Sequence, residues 1–310
     1  MTQEKKNFGA ALLEVLVAPL AALPLGFHLW WGRVFAWFMH SVMKYRRDDV
    51  MINLSRSFPD KKYRELKRIC KEFYLHLGDI IVESLWFGGC RNKRGRGRLN
   101  RSGIVDIVNP EVFNRVYDAS TNVMVLSSHC GNWELLGGWF SYNHNPDVAL
   151  HSDFSEIGVV YKELKSKTWD RFMADNRCAS IKDTGFDGYV ESQGIFRFAI
   201  THRKQKFIYI FPTDQFPYAA ATRHPIGEFM HQDTLAMTGG TALACKFGMS
   251  VNYLRWKSVG RGRYTVEFVP ISPDASKETP EGLMRKYYDL LQKDIEDQPW
   301  NYLWSHRRWK

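Results

Sequence analysis

Cysteine is scarce in this chain: Cys70, Cys90, Cys130, Cys178 and Cys245 are spread over 310 residues, with no C-x-x-C and no zinc-type spacing. An odd, dispersed set excludes a disulfide framework and fits a reducing compartment. No P-loop and no G-x-G-x-x-G occurs, so nothing points to a nucleotide, and no cofactor is expected. No His, Cys, Asp or Glu group has ligand spacing, which argues against a metal. Internal repeats and low-complexity linkers are also lacking. Acidic residues are in deficit, 33 against 43 Lys plus Arg, and the net charge of +10 favours anionic partners: nucleic acid, anionic lipid, a phosphorylated glycolipid or an acidic carrier protein. Finally, no apolar run of spanning length is uninterrupted. "FGAALLEVLVAPLAALPL", from Phe8 to Leu25, comes nearest and is broken by Glu14, Pro19 and Pro24.

Apolar and aromatic side chains are abundant, at 45% and 15% of the chain with eleven Trp, which suits a protein that meets lipid. After Leu25 comes "GFHLWWGRVFAWFMHSVMKYRR", whose Trp30, Trp31, Trp37, His40, Arg46 and Arg47 fit a helix lying in the headgroup zone. Residues 1–45 therefore read as a membrane-associated segment, either spanning or interfacial. A cleaved signal peptide, which Lys5 and Lys6 would also suit, and a buried core helix are the competing readings.

Residues 46–310 read as one α/β domain. Tyr63, Leu66, Cys70, Phe73, Leu77 and Ile80 recur at steps of three and four, predicting an amphipathic helix between Asp60 and Phe87 with Asp60 as its N-cap. "GGCRNKRGRGRLNR" then concentrates Arg91, Lys93, Arg94, Arg96, Arg98 and Arg101 among glycines, predicting an exposed loop. Beyond it, the β-rich runs "NVMVLSS", "CASIKD", "FIYIFPTD", "MSVNYLRW" and "YTVEFVPI" alternate with helical stretches over residues 155–176, 188–203, 233–247 and 281–295. That alternation predicts a central, mostly parallel or mixed sheet flanked by helices.

The chemistry centres on "SSHCGNWELLGGW", residues 127–139, where His129 and Glu134 lie five apart after an apolar strand. Spacing alone is weak evidence, since about one such pair is expected by chance and His151 with Glu156 repeats it. The context of His129 is different: it ends a strand, Gly131 permits a tight turn, and Asn132 can cap a following helix. On a straight helix residues five apart are about 140° out of phase, so only a turn would let Glu134 reach the imidazole. A carboxylate there would fix the tautomer, and N–H groups at the helix start could receive an oxyanion. The competing reading is a capped helix whose Glu134 merely complements the dipole.

"HCGNWE" resembles the H-x4-D/E signature of glycerolipid acyltransferases, in the H-x-G-N-W-E form of the bacterial lipid A biosynthesis (late) acyltransferase family. Other segments are similar in the same order: "LPLGFHLWWGRVFAWFM", "NLSRSFP", "FPTDQ", "TALACKFG" and the closing "PWNYLWSHRRWK". One departs, since "RHPIGEFMHQDT" stands where the family carries a P-F-F-G element.

The resemblance implies a glycerolphosphate-acyltransferase-like α/β fold and a transferase of the lauroyl or myristoyl type. It would move an acyl chain from an acyl carrier protein thioester, less often acyl-CoA, to a hydroxyl of a phosphorylated glycolipid, a lipid A precursor or another membrane glycolipid or aminolipid, at the cytoplasmic face of the inner membrane. By the same resemblance His129 would be the general base and Glu134 its orienting carboxylate, with Asn132, Asp214 and Gln215 among the substrate-binding residues. Asp214 and Gln215 match the family's D-Q pair, with a hydrogen-bonded turn as the alternative. Arg171 would hold a phosphate or the thioester oxygen, or be a solvated helix charge. Arg94, Arg96 and Arg98 would bind acceptor phosphates, lipid headgroups or the carrier protein, or simply be solvated. Trp304, His306, Arg307 and Arg308 match a closing block that could anchor at an interface or contact substrate. Two rivals from other classes remain: a hydrolase using Cys130 with His129, and a nucleic-acid-binding module resting on the basic segment. The apolar N-terminus and the lack of a nucleic-acid fold signature weigh against the second, so no nucleic acid is expected as partner.

Overall fold

A computed structural model describes residues 7–217, 221 and 223–309; Lys5 and Lys6 lie outside these. The chain begins with α1 (Phe8–Ala21), whose first turn is capped by Asn7 Oδ1 accepting from Ala10 N at 3.1 Å. Pro24 precedes α2 (Leu25–Trp37), which runs on through a π-helical turn, Phe38–Val42. The two helices meet at 109°, and no single helix among the described residues is long and apolar enough to cross a membrane. Leu16, Leu20, Trp30 and Trp37 are nonetheless more than half exposed on this pair. That is an apolar surface the rest of the fold does not cover.

Next come α3 (Arg47–Ser57) and the long α4 (Tyr63–Gly88). The cap at the start of α4 is not Asp60: Glu65 reaches back to accept from Lys62 N at 2.9 Å. α2 lies directly on α4, backbone against backbone, because a Cβ at Gly78 would stand 2.4 Å from the Gly32 carbonyl oxygen. Any larger residue would force the helices apart.

The basic segment forms α5 (Asn92–Ser102), which corrects the expected exposed loop. Tertiary contact overrides the glycines here: Gly95 sits where a Cβ would strike the Cys90 carbonyl, Leu99 is fully buried, and Gly103 ends the helix at φ +60°. The arginines have internal work. Arg98 donates to the Ala21, Ala22 and Leu23 carbonyls at the end of α1 and stacks over Trp86. Arg96 makes a two-pronged ion pair with Asp183 and donates to Ser180 O.

The remaining order is β1 (Val105–Ile107), α6 (Pro110–Ala119), β2 (Asn122–Ser127), β3 (Ile157–Tyr161), α7 (Lys167–Arg177), β4 (Tyr189–Glu191), α8 (Ile195–His202), β5 (Phe207–Pro212), β6 (Arg223–Phe229), β7 (Gln232–Met237), α9 (Gly239–Phe247), β8 (Ser250–Gly260), β9 (Arg263–Ser272) and α10 (Pro280–Asp297). Seven strands form one mixed sheet in the order β1-β9-β8-β2-β5-β3-β4, with only the β8–β9 pairing antiparallel. β2 lies at its centre and is buried at every position, as its unbroken apolar run requires when both faces are covered.

Four local expectations are corrected, the first being residues 188–203, where Tyr189–Glu191 pairs with β3 as β4 before α8 begins at Ile195. "CASIKD" is not a strand: residues 179–184 form a 3-10 helix, anchored by Ser180 Oγ donating to Gly137 O. The stretch 155–176 is not all helix, because the β-branched run "IGVVY" pairs with β5 and β4 as β3. Residues 232–237 likewise join β6 in a hairpin before α9 begins.

Candidate active site

The sheet brings two side chains together by register. β2 and β5 are parallel with Ser127 opposite Pro212, and Thr213 N still donates to Ser127 O at 3.2 Å. Two residues further along each strand stand His129 and Asp214, at the C-terminal edge where open α/β sheets gather their functional groups. His129 Nδ1 lies 2.6 Å from Asp214 Oδ1, and His129 N donates to Asp214 Oδ2 at 3.0 Å.

This places the proton on Nδ1 and the lone pair on Nε2, where Gln215 Nε2 donates at 3.0 Å. Asp214 is fully enclosed; burial pushes its carboxyl up, but the charge of His129 and the bonds from it outweigh burial and leave it below the ordinary range. The carboxyl is thus ionised at neutral pH, as a partner to an imidazolium must be.

Glu134 does not reach the imidazole, which corrects the expectation from spacing. The chain leaves the turn as a 3-10 helix, Trp133–Ser141, and this carries the Glu134 side chain to α7. There Arg177 grips it with two parallel bonds, Nε to Oε2 at 2.6 Å and Nη2 to Oε1 at 2.7 Å, and also donates to the Tyr189 hydroxyl at 2.7 Å. What packs on the imidazole is Trp133, edge to face with ring centroids 4.7 Å apart.

The turn itself is fastened from behind. Gly131 adopts φ +62° against Trp256, its N donates to Asn301 Oδ1 at 2.9 Å, and its carbonyl accepts from His76. Asn132 caps the 3-10 helix, its Oδ1 accepting from Glu134 N at 3.2 Å, and is wholly buried rather than presented to a ligand. The N–H groups of Gly131, Glu134 and Leu135 are therefore already engaged, which removes them as oxyanion donors.

A cavity of about 1010 Å³ opens in front of this edge. Its polar wall includes His129, Glu134, Arg177, Gln215 and His306; much of the rest is apolar, including Leu136, Phe140, Val160, Phe186 and Ile195. Lys162 and Arg223 add positive charge to the lining. His306, from the closing block, accepts from Phe216 N at 3.1 Å, and burial pushes its imidazole down to about 4, so it is neutral.

The other expected residues lie elsewhere. Arg171 is on α7 with its Nε on Asp175 at 3.0 Å and does not line the cavity. Arg177, six residues on and about 120° around the helix, is the arginine that does. Arg94 is exposed on α5, and neither it nor Arg96 nor Arg98 lines the cavity. Cys130 is buried, with its thiol pushed well above the ordinary range, first by burial. Such a thiol is not poised as a nucleophile. Among the described residues no group of three or more His, Cys, Asp or Glu side chains could hold a metal ion.

Comparison with known families matches residues 4–310 to the model described as "Bacterial lipid A biosynthesis acyltransferase". No curated protein matches the chain.

Proposed function

Because the chain belongs to the bacterial lipid A biosynthesis acyltransferase family, we infer that it moves a fatty acyl group from an acyl carrier protein thioester to a hydroxyl of a lipid A precursor, with His129 as general base. The observation that carries this reading is the His129 imidazole itself, with Nδ1 held by Asp214 and Nε2 turned to a large apolar cavity. The acceptor hydroxyl takes the place of Gln215 at Nε2 and gives up its proton there as its oxygen attacks the thioester carbon. Asp214 stabilises the imidazolium. Gln215 Nε2, displaced from the lone pair, and the Arg177 guanidinium are the donors available to the developing oxyanion. The intermediate then collapses: the C–S bond breaks and the departing sulfur recovers the proton from Nε2.

The apolar lining suits the acyl chain, and Lys162 and Arg223 suit an anionic donor or acceptor. Glu134 serves this site by fixing Arg177, not by orienting the base. The exposed apolar face of α1 and α2 supports residues 1–45 as a segment lying in the cytoplasmic leaflet of the inner membrane, with residues 46–310 as the catalytic domain. Incubating the purified chain with an acyl carrier protein thioester and a lipid A precursor tests the activity. The expected result is a product heavier by one acyl group and a free carrier thiol; release of free fatty acid without transfer would replace the reading with a hydrolase.

A further inference from the structure

Behind the turn that carries His129, on the side away from the cavity, lies a carboxyl that the chemistry above does not use. Glu83 projects from α4 with none of its surface exposed. Its Oε2 accepts from Asn132 Nδ2 at 2.8 Å and from the Tyr264 hydroxyl at 2.9 Å, while Oε1 has no partner among the described residues. Burial drives this carboxyl up to about 8 against the two hydrogen bonds, and the nearby charge of Asp79 adds to the rise. It is therefore mostly neutral at neutral pH.

A buried carboxyl with an orphan oxygen is costly, and an apolar side chain of like volume would avoid the cost. The surroundings give Glu83 a specific task. Gly131 is fastened from two sides, by Asn301 and His76, whereas among the described residues the amide nitrogen of Asn132 donates to Glu83 alone. Asn132 is also the cap of the 3-10 helix that bears Trp133 and Glu134, the residues that pack on His129 and hold Arg177. One bond from α4 thus sets the amide that aims both sides of the cavity's polar wall.

We propose that Glu83 is a positioning residue for acyl transfer: through Asn132 it holds the turn and helix start that keep His129 and Arg177 in register with the cavity. The inference rests on the general-base reading of His129. Its role is geometric, so the neutral amide of Gln can perform it and a shorter or apolar side chain cannot.

The experiment compares Glu83→Gln, Glu83→Asp, Glu83→Leu, Tyr264→Phe and His129→Ala in the full-length protein, with an acyl carrier protein thioester as donor and a lipid A precursor as acceptor. A displacement of about 1 Å at the reacting groups costs about 10²-fold, so Glu83→Leu should lose about that factor in kcat with both KM values little changed. Glu83→Asp, which keeps the carboxyl but withdraws it, should lose at least about tenfold. Glu83→Gln should recover most of the rate, and Tyr264→Phe, which leaves the Asn132 bond intact, should match wild type. Wild-type kcat in Glu83→Asp, or a Glu83→Gln as slow as Glu83→Leu, would overturn the inference while an inactive His129→Ala leaves the general-base reading standing. Full activity in His129→Ala would overturn both. Should Glu83→Leu fail to fold, the Asp and Gln variants decide the matter.

Discussion

Asn in place of Asp214 changes one atom and should nearly abolish transfer. The carboxylate accepts two bonds from one residue, at 2.6 Å from His129 Nδ1 and 3.0 Å from His129 N. An amide has one acceptor and one donor, so it can serve only one of these. If its oxygen keeps the backbone N–H, its NH2 faces Nδ1, and the ring must move its proton to Nε2, the atom that has to accept from the hydroxyl. Enclosure of Asp214 leaves water no room to substitute for the lost acceptor. The equivalent change at a base-orienting carboxylate costs about 10⁴-fold in kcat, or roughly 5 kcal/mol of transition-state stabilisation. KM for either substrate should change little, since Asp214 is too deeply enclosed to touch them. Steady-state kinetics at saturating donor and acceptor, with circular dichroism to verify the fold, measures this. A kcat within about tenfold of wild type would refute the claim that Asp214 sets the tautomer of the base.

Arg177→Met should leave the Glu134 carboxylate with only the Trp133 indole as a donor among the described residues and cost about 1–3 kcal/mol in urea unfolding as well as activity; an unchanged midpoint would show that the pair is not structural. Arg98→Met should loosen the corner between α1 and α2, where its guanidinium meets three carbonyls, and speed proteolysis there. Acceptor and donor KM should stay the same, and a rise in acceptor KM would restore Arg98 as a phosphate ligand. Cys178 is a free, partly exposed thiol in the cavity lining, so the test uses Cys178→Ser: there N-ethylmaleimide should leave turnover intact because the Cys130 thiol is buried and protonated, and inactivation that a further Cys130→Ser change abolished would contradict that.

Much of the site was legible in the sequence because strand ends are. The apolar run before His129 and the one before Asp214 each predict a strand, and parallel pairing in register leaves both residues at the same edge. What spacing could not say is which carboxylate the imidazole meets. Glu134 is near in sequence, but the 3-10 helix turns it toward Arg177; Asp214 is 85 residues away and adjacent in space. The resemblance points to Arg171, whereas Arg177 lines the cavity; which arginine does so depends on the buried face of α7, which Phe172 and Asn176 mark only once the helix is placed. Glycine and charge make residues 91–101 read as a loop, although Gly95 is what lets the start of α5 close against the Cys90 backbone, where a Cβ would clash. Glu83 carried no local signal at all, as one of several polar positions on a long amphipathic helix.

Transfer without the His129 imidazole should all but cease. The direct measurement is acyl transfer to a lipid A precursor, followed by mass spectrometry, for wild type, His129→Ala and His151→Ala. His151 is the spacing-matched control: its half-exposed ring pairs with Asp118 at 2.9 Å and does not line the cavity. Loss of a general base costs about 10²–10⁴-fold, so His129→Ala should form almost no product while His151→Ala forms it at close to the wild-type rate. Equal rates in His129→Ala and wild type would contradict the central claim.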